Sequence, residues 1–202
     1  MRIKTALFLI ALVATLIPTG PVNAGNNRLY LGFSVLPVIN SGSDLAQSGG
    51  SAKASSNNDY AVAGVLGTDT GMFRAEHEIA YRLGTDQVLG GTKSNGRFSL
   101  FTYMVNCYEE FAFGFAIKPY ISAGAGYARA HADNLKLDQS NAVTGHGVAF
   151  VYQLGTGVSY DFNNYVSFDC GYKYLDTLYF AIDGKRISYT GHNVLLGARL
   201  KF

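Results

Sequence analysis

Charged residues of both signs recur at alternate positions in three stretches of the sequence. The full set is Arg74, Glu76, Glu78, Arg82, Asp169, Lys173, Arg199 and Lys201. Alternate residues of a strand share one face, so in strands these side chains would point into one common space. Acids and bases gathered there could form an ion path or a gate, or they could form a structural plug of ion pairs. The mixed signs, together with the glycines that share their parity, favour the plug.

Three of the four histidines are the remaining candidates for catalysis. His131, His146 and His192 could lie near one rim of the fold, with Ser188 and Asp133 as possible partners in a hydrolytic site. Such a site needs a nucleophile, a base and an orienting acid within mutual reach. No serine stands in a nucleophile-elbow motif. The sequence therefore predicts a protein that is not an enzyme.

Neither a cofactor nor a tightly bound metal is expected. Residues 124–126 and 155–157 have the Gly-x-Gly pattern of phosphate loops, but both lie inside strand-like stretches with no helix to follow. No group of histidine, cysteine and acidic residues has metal-ligand spacing. The acids between 133 and 138 could hold a weak calcium ion, although solvated acids in a loop are far more common.

Eight stretches have the alternation and composition of strands and must carry these residues. They are 28–37, 59–68, 72–82, 97–108, 118–131, 147–161, 165–176 and 188–202. The gaps after the odd-numbered stretches are long, those after the second and sixth are very short, and the gap after the fourth is intermediate. Outer-membrane barrels show this alternation, with short periplasmic turns and long outer loops. It predicts that both termini are periplasmic.

The alternation also gives each predicted strand two unlike faces. Between 150 and 160, large apolar residues such as Phe150 and Leu154 alternate with small or polar ones such as Gln153 and Gly155. A sheet this apolar on one side must close on itself, because unpaired backbone groups cannot face hydrocarbon. The sequence therefore predicts an all-β chain, an eight-stranded antiparallel up-and-down transmembrane β-barrel with its aromatic face towards lipid.

The first 24 residues have the features of a cleavable signal peptide. A short basic stretch is followed by an apolar run and by small residues that end at Ala24. A membrane anchor is the alternative, but the run is shorter than the ~20 apolar residues of a helical span. Residues 25–202 would then form the barrel domain, with 14 basic and 14 acidic residues. Without a basic field, no nucleic-acid partner is expected.

Several segments carry a resemblance to a known family. They are MFRAE (72–76), YMVNCYEEF (103–111), KPYISAGAGYA (118–128), QLGTGVSY (153–160), FDCGYKYLD (168–176) and LLGARLKF (195–202). The mature chain resembles the opacity-type and major-surface-antigen family of outer-membrane barrels, relatives of the OmpA-type transmembrane domain. The resemblance implies a surface protein that engages host molecules or immune factors, sometimes with weak pore activity, and it supplies no catalytic motif. Phe202 resembles the terminal aromatic residue that the barrel assembly machinery recognises.

Three functions remain open on the sequence alone. The first is a surface-exposed outer-membrane barrel that acts as an adhesin, a surface antigen or an envelope-structural protein, with outer-membrane lipid and host surface molecules as its partners. The second is a small passive porin-like channel. The third is a soluble carrier barrel, which would need its apolar face inside. The stretch from 40 to 58, rich in serine, glycine and asparagine, predicts a mobile polar loop that could present a recognition surface.

Two local predictions can be checked directly against a structure. Cys107 and Cys170 fall on strands three apart with both side chains outward, too far apart for a disulfide. Asp183-Gly184 suits a two-residue hairpin turn. A two-residue turn there would make even residues of one strand the partners of odd residues of the other. Cross-strand partners point to the same side of a sheet, yet in the membrane the even residues of both strands are assigned to the outer face. The conflict predicts a β-bulge, around 176–177.

Overall fold

The computed structural model describes residues 28–47, 50–56, 60–84, 87–89, 92–94, 97–136, 142–182 and 185–202. The predicted signal peptide, residues 1–24, lies outside this part of the chain. The strands are β1 (Arg28–Gln47), β2 (Gly50–Ser56), β3 (Tyr60–Asp69), β4 (Phe73–Gly84), β5 (Gln87–Leu89), β6 (Thr92–Ser94), β7 (Arg97–Glu110), β8 (Ile117–Lys136), β9 (Ala142–Asp161), β10 (Val166–Thr177), β11 (Phe180–Ile182) and β12 (Lys185–Lys201). No helix long and apolar enough to cross a membrane occurs among these residues.

Eight of the strands form a closed antiparallel barrel in the order β1-β3-β4-β7-β8-β9-β10-β12. The ring closes where β12 pairs with β1, from Tyr30↔Lys201 up to Ala46↔Arg186. Each of the eight predicted strands corresponds to one barrel strand. The turns after β3, β7 and β9, which are the short connections, lie at the same end as the start of β1 and the end of β12. We call this the short-turn end and the opposite one the long-loop end.

The strands continue at the long-loop end beyond their predicted limits. In the stretch from 40 to 58, expected to be a mobile loop, β1 runs on to Gln47 and β2 pairs back onto it. The prediction of a loop was wrong for these residues because it was based on the lack of core-forming side chains. A ladder of backbone hydrogen bonds needs no apolar core where it only prolongs strands that are already paired. The short strands β5 and β6 were likewise not predicted, whereas β11 pairs with β12 as the predicted hairpin requires.

The two faces of the sheet are divided as the alternation predicts. Large exposed side chains cover the outside, among them Phe33, Ile79, Tyr127, Leu154 and Leu196, whereas the inward positions hold the buried polar residues. A soluble carrier would need the reverse arrangement. An apolar belt around a closed barrel is the surface that suits hydrocarbon.

The two cysteines and the pairing of β10 and β11 with β12 agree with the local predictions. Cys107 and Cys170 are free and exposed on β7 and β10, which confirms that they are not bonded to each other. Asp176 pairs with Thr190 and Phe180 with Ile187, so three residues of one strand face two of the other. This confirms the bulge.

The bulge lies beyond the predicted place. The extra residue falls at 178–179, between β10 and β11, and not at 176–177. Thr177 is held by its hydroxyl, which bonds both the N–H and the carbonyl of Tyr189. Thr177 therefore stays opposite its partner and the irregularity moves past it. Ile182↔Lys185 is paired, as a two-residue turn requires, while Asp183 and Gly184 lie outside the described residues.

Candidate functional site

The inward charged residues meet in the barrel lumen. All eight residues predicted from the sequence are buried there, namely Arg74, Glu76, Glu78, Arg82, Asp169, Lys173, Arg199 and Lys201. They come from β4, β10 and β12, and their alternate positions put each set on the inner face of its strand. The structure brings seven of them into ion pairs and holds Arg82 differently.

Arg199 forms ion pairs with three acids, as many as Arg74 does. Its Nε donates to Asp169 Oδ2 at 2.7 Å and its Nη2 to Asp169 Oδ1 at 3.1 Å, a two-point contact of the guanidinium with one carboxylate. Nη2 also donates to Ser159 Oγ at 2.5 Å and lies 3.4 Å from Glu110 Oε1. Nη1 is 3.7 Å from Asp69 Oδ2. One cation thus connects acids from β3, β7 and β10.

Arg74 shares two of those acids from the other side of the lumen. Its Nη1 lies 3.2 Å from Asp169 Oδ1 and 3.3 Å from Glu110 Oε1. Its guanidinium carbon is 4.0 Å from the centre of the Tyr108 ring, within range of a cation–π contact. Glu76, 3.6 Å from Arg74 Nε, accepts a hydrogen bond of 2.8 Å from the hydroxyl of Tyr30.

A second centre lies around Glu78. Lys173 Nζ donates to Glu78 Oε2 at 2.6 Å, and Asn106 Nδ2 donates to the same oxygen at 3.1 Å. Gln153 Nε2 bonds Asn106 Oδ1 at 2.6 Å and reaches Glu78 Oε1 at 3.5 Å. This acid therefore has one cation and two amides as partners, the kind of pairing that a buried carboxylate needs.

Arg82 is the member that the structure sets apart from the ion pairs. Its Nη2 donates to Asn193 Oδ1 at 2.8 Å, and its guanidinium carbon lies 5.2 Å from the centre of the Tyr189 ring. In the described part of the chain its partners are an amide and an aromatic ring. Its parity in the sequence groups it with the acids, but parity cannot distinguish residues at different heights along the barrel.

Further ion pairs lie at the short-turn end, and their acids were not predicted to belong to the charged residues of the lumen. Lys201 Nζ lies 3.1 Å from Asp69 Oδ2 and 2.8 Å from Asp161 Oδ1, and Lys118 Nζ lies 2.8 Å from Asp161 Oδ2. Asp69 and Asp161 are the last residues of β3 and β9 and were treated as turn residues or strand ends. Glu110, the last residue of β7, was likewise placed in the gap after the fourth predicted strand. Their shared parity with inward residues was the signal that could have found them.

The buried charges balance. Among the described residues, the buried acids are Asp69, Glu76, Glu78, Glu110 and Asp169, and the buried bases are Arg74, Arg82, Lys173, Arg199 and Lys201. Little space remains between them. Two cavities of about 10 Å³ each lie in the lumen, one beside Arg74 and Asp169 and one beside Arg82 and Asn193. Each holds about one water molecule. The lumen is therefore filled by neutralised side chains.

An apolar layer covers the charges towards the long-loop end. It consists of buried residues that include Phe98, Leu100, Leu175, Phe180, Ile182, Ile187 and Tyr189. β11 supplies two of them and lies against the inner face of β9, where a Cβ atom on Gly147 would be 2.9 Å from Ile182 Cγ1 and 3.1 Å from Phe180 Cβ. Glycine at this position allows the close approach. The lumen thus has two layers, charged below and apolar above.

The histidines considered for catalysis do not share a site. His131 and His146 are cross-strand partners on β8 and β9, whereas His192 lies on β12, beyond β10. His192 Nδ1 is 2.5 Å from the hydroxyl of Tyr172. No group of three or more metal-ligating side chains occurs within the ranges that the structure describes. Phe202 is exposed, and its N–H donates to Leu29 O at 2.9 Å. Its role in assembly stays a prediction.

The geometry of the ring matches known membrane proteins. The crystal structure of Neisserial surface protein A superposes with a TM-score of 0.57 over 86% of this chain and 97% of that one, at 19% identity. The outer membrane protein OprG of Pseudomonas aeruginosa gives 0.54 over 88% and 96%, at 15% identity. The fold is that of the eight-stranded outer-membrane barrels.

Sequence comparison adds one partial match to this barrel. Outer membrane protein PagN of Salmonella typhimurium is 33% identical over an alignment of 84 positions that covers 37% of this chain. The match spans 33% of the Salmonella protein, so the barrel is aligned with only about a third of it. No family model matches the chain.

Proposed function

We propose that this chain is a surface-exposed outer-membrane barrel that acts without catalysis, as an adhesin, a surface antigen or an envelope-structural protein, through its long-loop end. The observation that carries the proposal is the filled lumen. Among the described residues, five buried acids face five buried bases, and the two cavities beside them are each the size of one water molecule. This filling favours function at the surfaces beyond the membrane over a solute path through the lumen.

The extended strands supply those surfaces. β1, β8 and β9 are 20 residues long, whereas a strand needs about 9–11 residues to cross a bilayer. The excess lies at the long-loop end, where β2 and β11 add to it. A rigid barrel that raises polar hairpins above the membrane is a usual way to present a recognition surface. Outer-membrane lipid surrounds the belt in this proposal, and the barrel assembly machinery inserts it.

Protease treatment of intact cells tests the location and orientation. The four long-loop connections each contain a trypsin site, at Lys53, Lys93, Lys136 and Lys185. We expect cleavage after one or more of them on intact cells, and cleavage after Arg28 only once the outer membrane is permeabilised. Cleavage after Arg28 on intact cells would reverse the orientation. Protection of all sites until permeabilisation would show that the long-loop end does not reach the cell surface.

An adhesin role can be tested with a shortened hairpin. Ser43 pairs with Ala54, so an Asn-Gly turn in place of residues 44–53 closes the β1–β2 hairpin without changing its register. We expect the variant to fold and to lower the binding of expressing cells to cultured host cells. Equal binding by the two strains, with the protein on the surface, would leave the antigenic or structural role and exclude adhesion through this hairpin.

The alternative function is a small passive porin-like channel. Single-channel recording of the refolded chain separates the two. We expect no reproducible conductance from the native protein. Reproducible conductance that changes in Glu76→Gln or Arg199→Ala would show an ion path through the charged layer and would overturn the plug.

A further inference from the structure

The outward face of β8 changes character at a single position. From the short-turn end, its outward residues are apolar as far as Tyr127, and the next two are Arg129 and His131. The apolar run, 117–127, spans eleven residues. That is about the 9–11 residues with which a tilted strand crosses the hydrocarbon. Arg129 therefore lies at the level where the hydrocarbon ends and lipid headgroups begin.

The neighbouring strand β9 makes the same change one step further from the membrane. Arg129 pairs with Val148 and His131 with His146, so the two histidines stand side by side one step above Arg129. All three side chains are exposed. In the described part of the chain, Arg129 forms no ion pair with a carboxylate, unlike the lumen arginines Arg74 and Arg199. Asp133, which follows His131 on the same face, lies one step further from the membrane.

An aromatic pair stands directly below this group. Tyr127 and Phe150 are cross-strand partners with their ring centres 6.3 Å apart in an edge-to-face arrangement, and both are exposed to the outside of the barrel. Phe101, the partner of Arg129 on β7, is exposed beside them. A molecule bound here would touch apolar rings with one part and cationic or N–H donor groups with the other. That is the amphiphilic shape of a lipid.

We propose that Arg129, His131 and His146 form a binding site for the phosphate headgroup of a membrane lipid whose acyl chains lie on Tyr127 and Phe150. A guanidinium offers two parallel N–H donors that match two phosphate oxygens, and the imidazoles add further N–H donors. The site rests on the proposed membrane location, because only there is the lipid-facing side of β8 in contact with headgroups. It does not depend on whether the hairpins recognise a host.

Lipid A, with two phosphates, and its chemically dephosphorylated form are the probes. The refolded full chain in non-ionic detergent is titrated with each, and bound lipid is counted by native mass spectrometry. We expect the phosphorylated form to bind more tightly, and Arg129→Gln to weaken it by about tenfold, the size of one charge-assisted hydrogen bond. Arg129→Lys keeps the positive charge but loses the two parallel N–H donors of the guanidinium. We expect its affinity for lipid A to lie between those of the native chain and Arg129→Gln. His131→Gln with His146→Gln gives a smaller loss.

A matched control separates this site from general attraction. Arg28 is also exposed, but its Nη1 already donates to Asn164 O at 2.7 Å, at the other end of the barrel. Arg28→Gln should leave lipid binding unchanged, and heat-dependent gel mobility verifies that each variant is folded. Equal binding of the two lipid forms, equal binding by Arg129→Gln and the native chain, or an equal loss in Arg28→Gln would each overturn the proposal. Cleavage of intact cells tests the location independently, so the two failures are distinguishable.

Discussion

Arg199 on β12 and Asp169 on β10 are joined by two hydrogen bonds, of 2.7 and 3.1 Å, inside the barrel. Both side chains are buried, and the same arginine reaches Glu110 and Ser159. Removing one partner of such a pair leaves a charge in a space with little water to solvate it. Loss of one partner should therefore destabilise the barrel more than the pair itself stabilises it.

Replacement of Arg199 by methionine should strongly destabilise the barrel. The change removes the two-point contact with Asp169, which then keeps only Arg74 as an ion-pair partner among the described residues, while Glu110 keeps Arg74 and Lys118. We expect the free energy of unfolding to fall by about 3–5 kcal/mol. Urea titration of the refolded chain in detergent, followed by far-UV circular dichroism, measures it. Arg28→Met, at an exposed position, should change it by no more than about 0.5 kcal/mol, and equal effects of the two variants would contradict the buried role of Arg199.

Lys173 and Glu78 should behave as a coupled pair. Lys173→Met leaves Glu78 with only amide partners, and Glu78→Gln leaves Lys173 without its carboxylate. Each single change should lower the free energy of unfolding, and the double variant should lower it by less than the sum of the two single effects. We expect a coupling of about 0.5–3 kcal/mol in a double-mutant cycle of unfolding free energies. Simple additivity would show that the 2.6 Å contact contributes nothing specific.

Two glycines should respond oppositely to alanine. A Cβ on Gly126, which faces inward, would lie 2.8 Å from Met104 Cα on the neighbouring strand, whereas one on Gly64, which faces outward, would meet nothing within 4 Å. We expect Gly126→Ala to cost about 1–3 kcal/mol by overpacking. Gly64→Ala should be neutral or slightly stabilising, because alanine restricts the unfolded chain. The same urea titrations test this, and equal values for both would refute the close approach of β7 and β8.

The two cysteines should remain free after export. Both are exposed on the outer face of the barrel, on strands three apart. A digest of the protein under non-reducing conditions should yield no peptide that joins Cys107 to Cys170. Cys107→Ala should not change gel mobility without reductant. Detection of the joined peptide would contradict the strand order itself.

The eight strands and their inward faces could be predicted because alternation records them in the sequence. On β10 and β12 the sequence also predicted an extra residue, because the face assignment in the membrane and the pairing across a two-residue turn cannot both hold without one. Its place could not be predicted, because it depends on the hydroxyl of Thr177 bonding the backbone of Tyr189. Such a bond is a tertiary contact that parity does not encode.

The composition of the lumen was harder to predict than its charges. Tyr30, Tyr108 and Tyr120 are buried inside, although large aromatic residues were assigned to the lipid face. On β7 both parities carry large side chains, so contrast between faces is lost there. Alternation also gives the face of the sheet on which a residue lies but not its height along the barrel axis. Arg82 was therefore grouped with acids that it does not contact. The polar hairpin β1–β2 escaped prediction because its serine, glycine and asparagine residues show no alternation of apolar and polar positions.

The closure between β1 and β12 makes the neutrality of the interior depend on the last strand. Arg199 and Lys201 are the partners of acids on β3, β7, β9 and β10, and they are supplied by β12 when it adds to the sheet between β10 and β1. Until then, the nascent sheet has two open edges and a surplus of negative charge on its concave side. Both defects are removed in one step, so a barrel that lacks its final strand is unstable in its backbone and in its electrostatics at once.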